Sequence, residues 1–248
     1  MKALVTGASS GIGRDMARYL SKLGYDLVIV ARRENLLQEL KKDLNTNVEI
    51  EVLDISIKEN CYTLFEKHKD IDLLVNNAGF GVFGEFTETD LEQELSLIDT
   101  NIKSLHILTK LYAKAMKEKD NGKILNVASI AGFMTGPLMA SYYASKNYVV
   151  SLSSAINKEL KKANSKVRIS VLCPGPVATN FNNVAGVRFS IKSLSSDYVA
   201  KYAIDKTLKG KEIIIPGSLI KLAYFANKLS PRYIATEVAY HTQKSKKK

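Results

Sequence analysis

The sequence predicts an α/β fold, a doubly wound parallel sheet of seven strands with helices on both faces, in a single domain. Three observations predict it. Short runs rich in Val, Ile and Leu alternate with longer stretches of helical periodicity along the 248 residues. One of those runs, Asp26-Leu27-Val28-Ile29-Val30-Ala31, is apolar almost throughout, as strands covered on both faces are. A glycine-rich turn, Gly7 to Gly13, joins the first apolar run to the first helical stretch.

The elements follow in order. A strand over Lys2 to Thr6 leads to a helix from Gly11 to Leu23, closed by Gly24 as a left-handed cap. Asp26 to Ala31 is the second strand. Leu36, Leu37, Leu40 and Leu44 fall at helical spacing over Glu34 to Leu44. Val48 to Leu53 is the third strand, Ile57 to His68 a helix, and Ile71 to Val75 the fourth strand. Asp90 to Lys119 reads as a long helical region broken near Thr100. Lys123 to Ala128 is the fifth strand, Ser141 to Lys162 a helix, and Val167 to Leu172 the sixth strand, stopped by Pro174-Gly175-Pro176. Val177 to Leu194 has weak periodicity and reads as a loop. Ser196, with Asp197 behind it, caps a helix to Leu208. Ile213 to Ile215 is the seventh strand and Gly217 to Leu229 the last helix. Residues 240–248 read as a flexible basic tail. Strands alternating with helices require right-handed crossovers.

Hydrophobic residues make up 46% and charged residues 25%, so the chain can bury a full core. Cys61 and Cys173 lack CxxC spacing, and His68, His106 and His241 are dispersed, which argues against a disulfide scaffold or a metal site. The formal net charge of +11 is scattered over helices, often beside Glu, with part in Lys244 and Lys246 to Lys248. No basic stripe with interleaved aromatics appears, which argues against nucleic acid as a partner. Such a balance instead favours anionic ligands such as phosphorylated cofactors. The opening residues run straight into a strand without a signal-like apolar region, and no run is long enough to span a bilayer; the expected location is cytoplasmic. Leu219 to Phe225 is amphipathic and precedes the lysine tail. A final helix, a substrate lid and peripheral contact with an anionic membrane surface all fit it.

Two patterns carry chemistry. Tyr142 and Lys146 stand four apart in a helical stretch, so they share a face, and an ammonium near a phenol favours its ionised form. Tyr143 points about 100° away around the helix. The turn Thr6-Gly7-Ala8-Ser9-Ser10-Gly11-Ile12-Gly13 lets a backbone approach a pyrophosphate, with the helix N–H groups aimed at it. The second strand ends in Arg32-Arg33 rather than an acid. Arg32 would clamp a 2′-phosphate, aided by Arg33 or Arg14, which favours NADP(H) over NAD(H). Glu34 is the competing residue, but it lies in the next helix.

Thr6-Gly7-x-x-x-Gly11-x-Gly13, Asn76-Asn77-Ala78-Gly79, Asn101, Ser129, Tyr142-x-x-x-Lys146 and Pro174-Gly175 occur in one order, with Ser129 thirteen residues before Tyr142. In that order and spacing the chain resembles the compact, single-domain branch of the short-chain dehydrogenase/reductase family, whose fold is of Rossmann type. The resemblance runs from Lys2 to about Thr179, plus the seventh strand. It implies that Ser129 binds the substrate carbonyl and that Tyr142 gives or takes the proton on its oxygen. It also implies that Lys146 holds the nicotinamide ribose and lowers the Tyr142 pKa, and that Asn101 holds a water relaying protons from Lys146. Gly7, Ser9, Ser10, Gly11, Ile12 and Gly13 would then hold the cofactor with Arg32 and Arg33. Asp54 and Ile55 would meet the adenine, and Asn77, Ala78 and Gly79 would line the cofactor. Val177 and Thr179, after Pro174 and Gly175, would meet the carboxamide.

The four-residue gap with Ser129 present implies interconversion of a ketone or aldehyde with its alcohol. A nucleotide-sensing or membrane-surface binding protein on the same fold is the alternative. Phe80, Phe83, Phe133, Met134, Met139, Phe181 and Phe189 are candidates for an apolar, medium-sized pocket. A β-ketoacyl, steroid-like or small aromatic carbonyl all fit. The resemblance further implies a homodimer or homotetramer, through Asp99 to Lys119 and Ser141 to Lys162.

Overall fold

The computed structural model describes residues 1–179 and 193–244. Strands β1 (Lys2–Thr6), β2 (Asp26–Ala31), β3 (Val48–Val52), β4 (Leu73–Asn76), β5 (Lys123–Val127), β6 (Arg168–Leu172) and β9 (Ile213–Ile214) form one parallel sheet. Its order is β3-β2-β1-β4-β5-β6-β9. A short parallel pair, β7 (Val177–Ala178) with β8 (Leu194–Ser195), lies apart. The helices are α1 (Gly11–Lys22), α2 (Glu34–Lys42), α3 (Lys58–Lys67), α4 (Leu91–Ile98), α5 (Leu105–Glu118), α6 (Ala140–Lys162), α7 (Ser196–Leu208), α8 (Ser218–Leu229) and α9 (Arg232–Lys244).

The two-residue period of the strands divides the core. Ala3 and Val5 of β1 and Leu27 and Ile29 of β2 face one layer, under Met16, Leu20, Leu37 and Ile204. Leu4, Val28 and Val30 face the other, under Leu64, Leu108, Tyr112 and Met116. Burial of each such side chain contributes roughly 1.5–3 kcal/mol, and both faces are filled. The strand order runs outward from β1 to β3 and then returns to β4 on the other side of β1. At that reversal the connections diverge and open a crevice at the carboxyl ends of the strands.

The predicted seven-stranded parallel sheet is present, and the break near Thr100 is a π-helical segment, Asp99–Ser104, between α4 and α5. Two expectations change. Residues 240–244 are not tail but the end of α9, which is held by side-chain hydrogen bonds rather than by an apolar stripe. The ends of the stretch read as a loop pair as β7 and β8, while Phe181 and Phe189 lie outside the described residues.

The core between β4, β5, α5 and α6 is not wholly apolar. Asn76 Nδ2 donates to Asn126 Oδ1 (2.9 Å) and Thr109 Oγ1 (3.0 Å), and Asn126 Nδ2 donates to Ser153 Oγ (3.0 Å). All four residues are buried. Such a network fixes the register of two strands against two helices only while each group keeps its partner. Asn126→Leu should therefore destabilise the protein by roughly 1–3 kcal/mol per orphaned group. The check is the midpoint of urea unfolding, with Asn126→Asp as the polar control.

Candidate active site

Helix α6 buries Tyr142, Ser145, Lys146, Val149, Val150, Ser153, Asn157 and Leu160 along one stripe at three- and four-residue intervals. At the carboxyl edge of the sheet that stripe is polar. Lys146 is only 5% exposed, and its Nζ donates to the carbonyl of Val127 at the end of β5 (3.0 Å). Burial drives its pKa from the ordinary 10.5 down to about 8. Burial likewise pushes the Cys173 thiol well above its ordinary range, so it carries no charge at neutral pH.

Tyr142 packs beside Lys146, whose Nζ lies 5.8 Å from the ring centroid. The expectation that Lys146 draws the phenol towards neutrality is corrected. Burial pushes the Tyr142 phenol well above the ordinary tyrosine value, and the hydrogen bond with Ser129 only partly opposes this. The ammonium is turned to the Val127 carbonyl, and desolvation wins. Ser129 caps the 3₁₀ turn Ile130–Phe133: its Oγ accepts from Ala131 N (3.2 Å) and lies 3.5 Å from the Pro174 carbonyl. Ser129, Tyr142 and Lys146 therefore converge where β5 and β6 end.

Asn101 sits in the widened π turn, 1% exposed. Its Oδ1 accepts from Phe80 N (3.1 Å), and its Nδ2 donates to Phe80 O (2.9 Å) and Ser145 Oγ (3.1 Å). The carboxamide is thus engaged by the turn after β4 and by helix α6. A Cβ on Gly79 would lie 2.8 Å from Asn101 Oδ1 and 3.4 Å from Lys146 Nζ, so the chain passes over the lysine only as glycine.

The glycine turn is locked to the same region through Asn77. Its Nδ2 donates to the carbonyls of Thr6 (3.0 Å) and Gly7 (3.2 Å), while Thr6 Oγ1 accepts from the amides of Asn77 and Ala78. A Cβ on Gly13 would lie 2.3 Å from Asn77 Nδ2. Gly7 (φ +66°) and Gly11 (φ +57°) adopt left-handed backbone. Helix α1 begins after Ser10 without a side-chain cap or an acid in its first turn. Uncapped N–H groups, close backbone and left-handed glycines form a cradle fitted to a pyrophosphate. Ile12 packs into the core, and Thr179 comes within 3.2 Å of the Gly11 Cβ position, so the segment after β6 roofs the turn.

The arginines divide differently from the expectation. Arg33 Nη2 donates to the hydroxyls of Ser9 (2.9 Å) and Ser10 (3.0 Å), over the turn. Arg32 is exposed and lies 3.5 Å from Asp54 Oδ2, and Arg14 pairs with Asp15. Burial raises the Asp54 pKa, but the Ser56 hydroxyl and amide and Arg32 outweigh it and hold the carboxyl below its ordinary value. Ile55 is buried in the core, and so is Val177. A Cβ on Gly175 would lie 2.5 Å from Ile220, so that glycine admits α8.

Residues missed by sequence reasoning cover the site. Asn147 Nδ2 donates to the carbonyls of Ala131, Met134 and Tyr143 and so fixes the segment after Ser129. Gln243 of α9, 1% exposed, donates to the Tyr143 hydroxyl, and Thr236 bonds Thr135. Phe80, Val82, Phe83 and Tyr143 pack with Leu97, Ala131, Met139 and Tyr142 in one apolar cluster.

The sequence model of the family described as short chain dehydrogenase matches residues 1–186. The chain belongs to the short-chain dehydrogenase/reductase family. It is 38% identical over 185 residues to an uncharacterized oxidoreductase of Staphylococcus saprophyticus, covering 71% of this chain and 78% of that one. Among solved structures, a short-chain dehydrogenase from Sphingobium yanoikuyae in complex with NADPH is similar at 27% identity. It covers 92% of both chains with a TM-score of 0.82. A short-chain dehydrogenase/reductase from Burkholderia phymatum in complex with NAD is similar at 25% identity, over 90% of this chain and 91% of that one, also with a TM-score of 0.82. This short-chain dehydrogenase/reductase is an oxidoreductase whose structural neighbours bind nicotinamide dinucleotides.

The buried lysine has a measurable consequence. Its folded pKa is depressed, so the folded state disfavours its charge. The stability this group contributes is present above the unfolded value of 10.5 and is lost as pH falls towards about 8. Without added nucleotide, Lys146→Met should be more stable than the parent below pH 8, by up to about 3 kcal/mol. That difference should shrink between pH 8 and 10.5, as denaturant titrations at a series of pH values would read.

Proposed function

We propose that the chain is an NADP(H)-dependent reductase or dehydrogenase that interconverts a ketone or aldehyde and its alcohol on an apolar, medium-sized substrate. One observation carries the reading: Ser129, Tyr142 and Lys146 converge at the carboxyl edge of the sheet, beside a glycine cradle fitted to a dinucleotide. When bound, the nicotinamide supplies or accepts the hydride. The chain's own groups handle the oxygen. The Ser129 hydroxyl donates to the carbonyl oxygen and orients it. The Tyr142 phenol, kept protonated by burial, donates its proton to that oxygen in reduction. Lys146 holds the ribose hydroxyls and gives positive potential behind the phenol. Asn101 is a positioning residue that fixes Phe80, and a relay water held beside it would link Lys146 to solvent.

Gly7, Gly11, Ile12 and Gly13 line the pyrophosphate, Asp54 and Ile55 meet the adenine, and Asn77, Ala78 and Gly79 border the cofactor. Val177 and Thr179, after Pro174 and Gly175, close on the carboxamide. The apolar cluster around Phe80, Phe83, Met139 and Tyr143 supports an apolar substrate. A homodimer or homotetramer through α5 and α6 is consistent with the exposed Leu91, Leu95 and Ile98 on adjoining α4.

Two experiments test this reading. With a panel of carbonyl compounds and NADPH, Tyr142→Phe should lower kcat at least about 100-fold, the range of general acid catalysis, and leave nucleotide binding by fluorescence within about twofold. Retained turnover would reject the role of Tyr142, and nucleotide binding without turnover on any carbonyl would favour the idle binding protein. The cofactor preference rests on Arg33 and Arg32. Arg33→Ala should weaken NADPH about tenfold or more while sparing NADH, with Arg32→Ala weaker in the same direction. Equal losses for both nucleotides would reject the preference.

A further inference from the structure

Helix α8 carries large apolar side chains on both its inner and its outer side. Its inner face is spent on the active site: Ile220 packs on Gly175, Tyr224 meets Phe133 edge-on, and Asn227 Nδ2 donates to the Phe133 carbonyl (2.8 Å). Its outer face carries Leu219, Leu222, Phe225 and Leu229, between 59% and 87% exposed. At 100° per residue these four fall within about 120° of the helix circumference. On α9, Tyr233 at 75% and Val238 at 61% are further exposed apolar side chains. Leaving several large side chains in water costs about as much as burying them would gain, so such a patch marks an interaction surface.

Charge identifies what covers it. On the helical wheel Lys221 and Lys228 flank one edge of the stripe. On that side a groove of about 490 Å³, shared with Phe225 and Tyr224, adds Lys206 and Lys211. From Pro216 to the last residue the sequence holds seven Lys and Arg and a single acid, Glu237. An apolar stripe with a lysine rim seats its side chains at the headgroup boundary of a bilayer while the ammonium groups meet lipid phosphates. A second copy of this chain would set like charge against like. Among the described residues no helix is long and apolar enough to cross a membrane, so the contact is peripheral.

We propose that the outer face of α8, with its lysine rim, docks this protein on an anionic bilayer surface, with the roof of the active site lying against the lipid.

The test is sedimentation of the full chain with vesicles of phosphatidylcholine alone or mixed with phosphatidylglycerol, at low and high salt. The bound fraction should be about tenfold or more greater on the anionic vesicles and should fall as salt rises. Leu222→Ser with Leu229→Ser should lower it about tenfold, and Lys221→Glu with Lys228→Glu should do the same without touching the stripe. No binding, or equal binding to both vesicle types, overturns the proposal. So does a loss of dimer or tetramer mass in light scattering caused by the leucine substitutions, which would make a second copy the occupant. Because no step of the readout involves turnover, failure here leaves the proposed reaction untouched.

Discussion

An ammonium buried at the end of β5 is the constraint around which the carboxyl edge of this sheet is built. Desolvating a lysine costs several kcal/mol, and here the return is a hydrogen bond to one carbonyl, that of Val127. The surroundings follow from that choice. Gly79 has no side chain because one would strike Asn101 and crowd the ammonium. Asn101 reaches the Gly79–Phe80 turn because a π segment interrupts the helix there and turns it inward. Helix α6 begins at Ala140, so that its first buried turns carry Tyr142, Ser145 and Lys146 to the crevice while its later turns hold the core. Such a site stands on rigid elements rather than on loops, which is how distances near 3 Å are kept.

A second hub couples this site to the nucleotide cradle. Asn77 follows β4 directly and spends its side chain on the backbone of Thr6 and Gly7, while Gly13 gives it room. The ends of two neighbouring strands are thereby tied at the topological reversal. Asn77, held by the glycine turn, lies one residue from Ala78 and two from Gly79, the glycine that passes over Lys146. Binding of the dinucleotide and placement of the lysine are in this sense one structural problem.

The sequence made the sheet legible because its strands alternate so regularly with amphipathic helices. Leu4, Val28 and Leu74 belong to short apolar runs of the kind that strands covered on both faces show. Tyr142, Lys146, Ser129 and the glycines were legible because spacing and resemblance preserve them. Three things were not. The placing of Arg32 beside Asp54 and of Arg33 over the glycine turn depends on which way two adjacent side chains leave the end of β2, and periodicity says nothing about that. Asn147 and Gln243 act mainly through hydrogen bonds to distant partners, Ala131 and Met134 for Asn147 and Tyr143 for Gln243, which leave no local pattern. The raised phenol of Tyr142 depends on how fully the site excludes water, and spacing shows proximity to Lys146 but not dehydration.

That last difference bears on how the proton of the phenol is held. In a solvated helix a lysine four positions from a tyrosine mainly lowers the phenol's pKa. In this crevice burial acts on both groups at once, favouring the neutral phenol and easing the proton off the lysine. Raising the pKa keeps the phenol protonated and also makes it a weaker acid, so the site without nucleotide holds that proton tightly. Positive charge near the phenol eases the proton off, and the group able to supply it is the same buried ammonium on which the architecture is built.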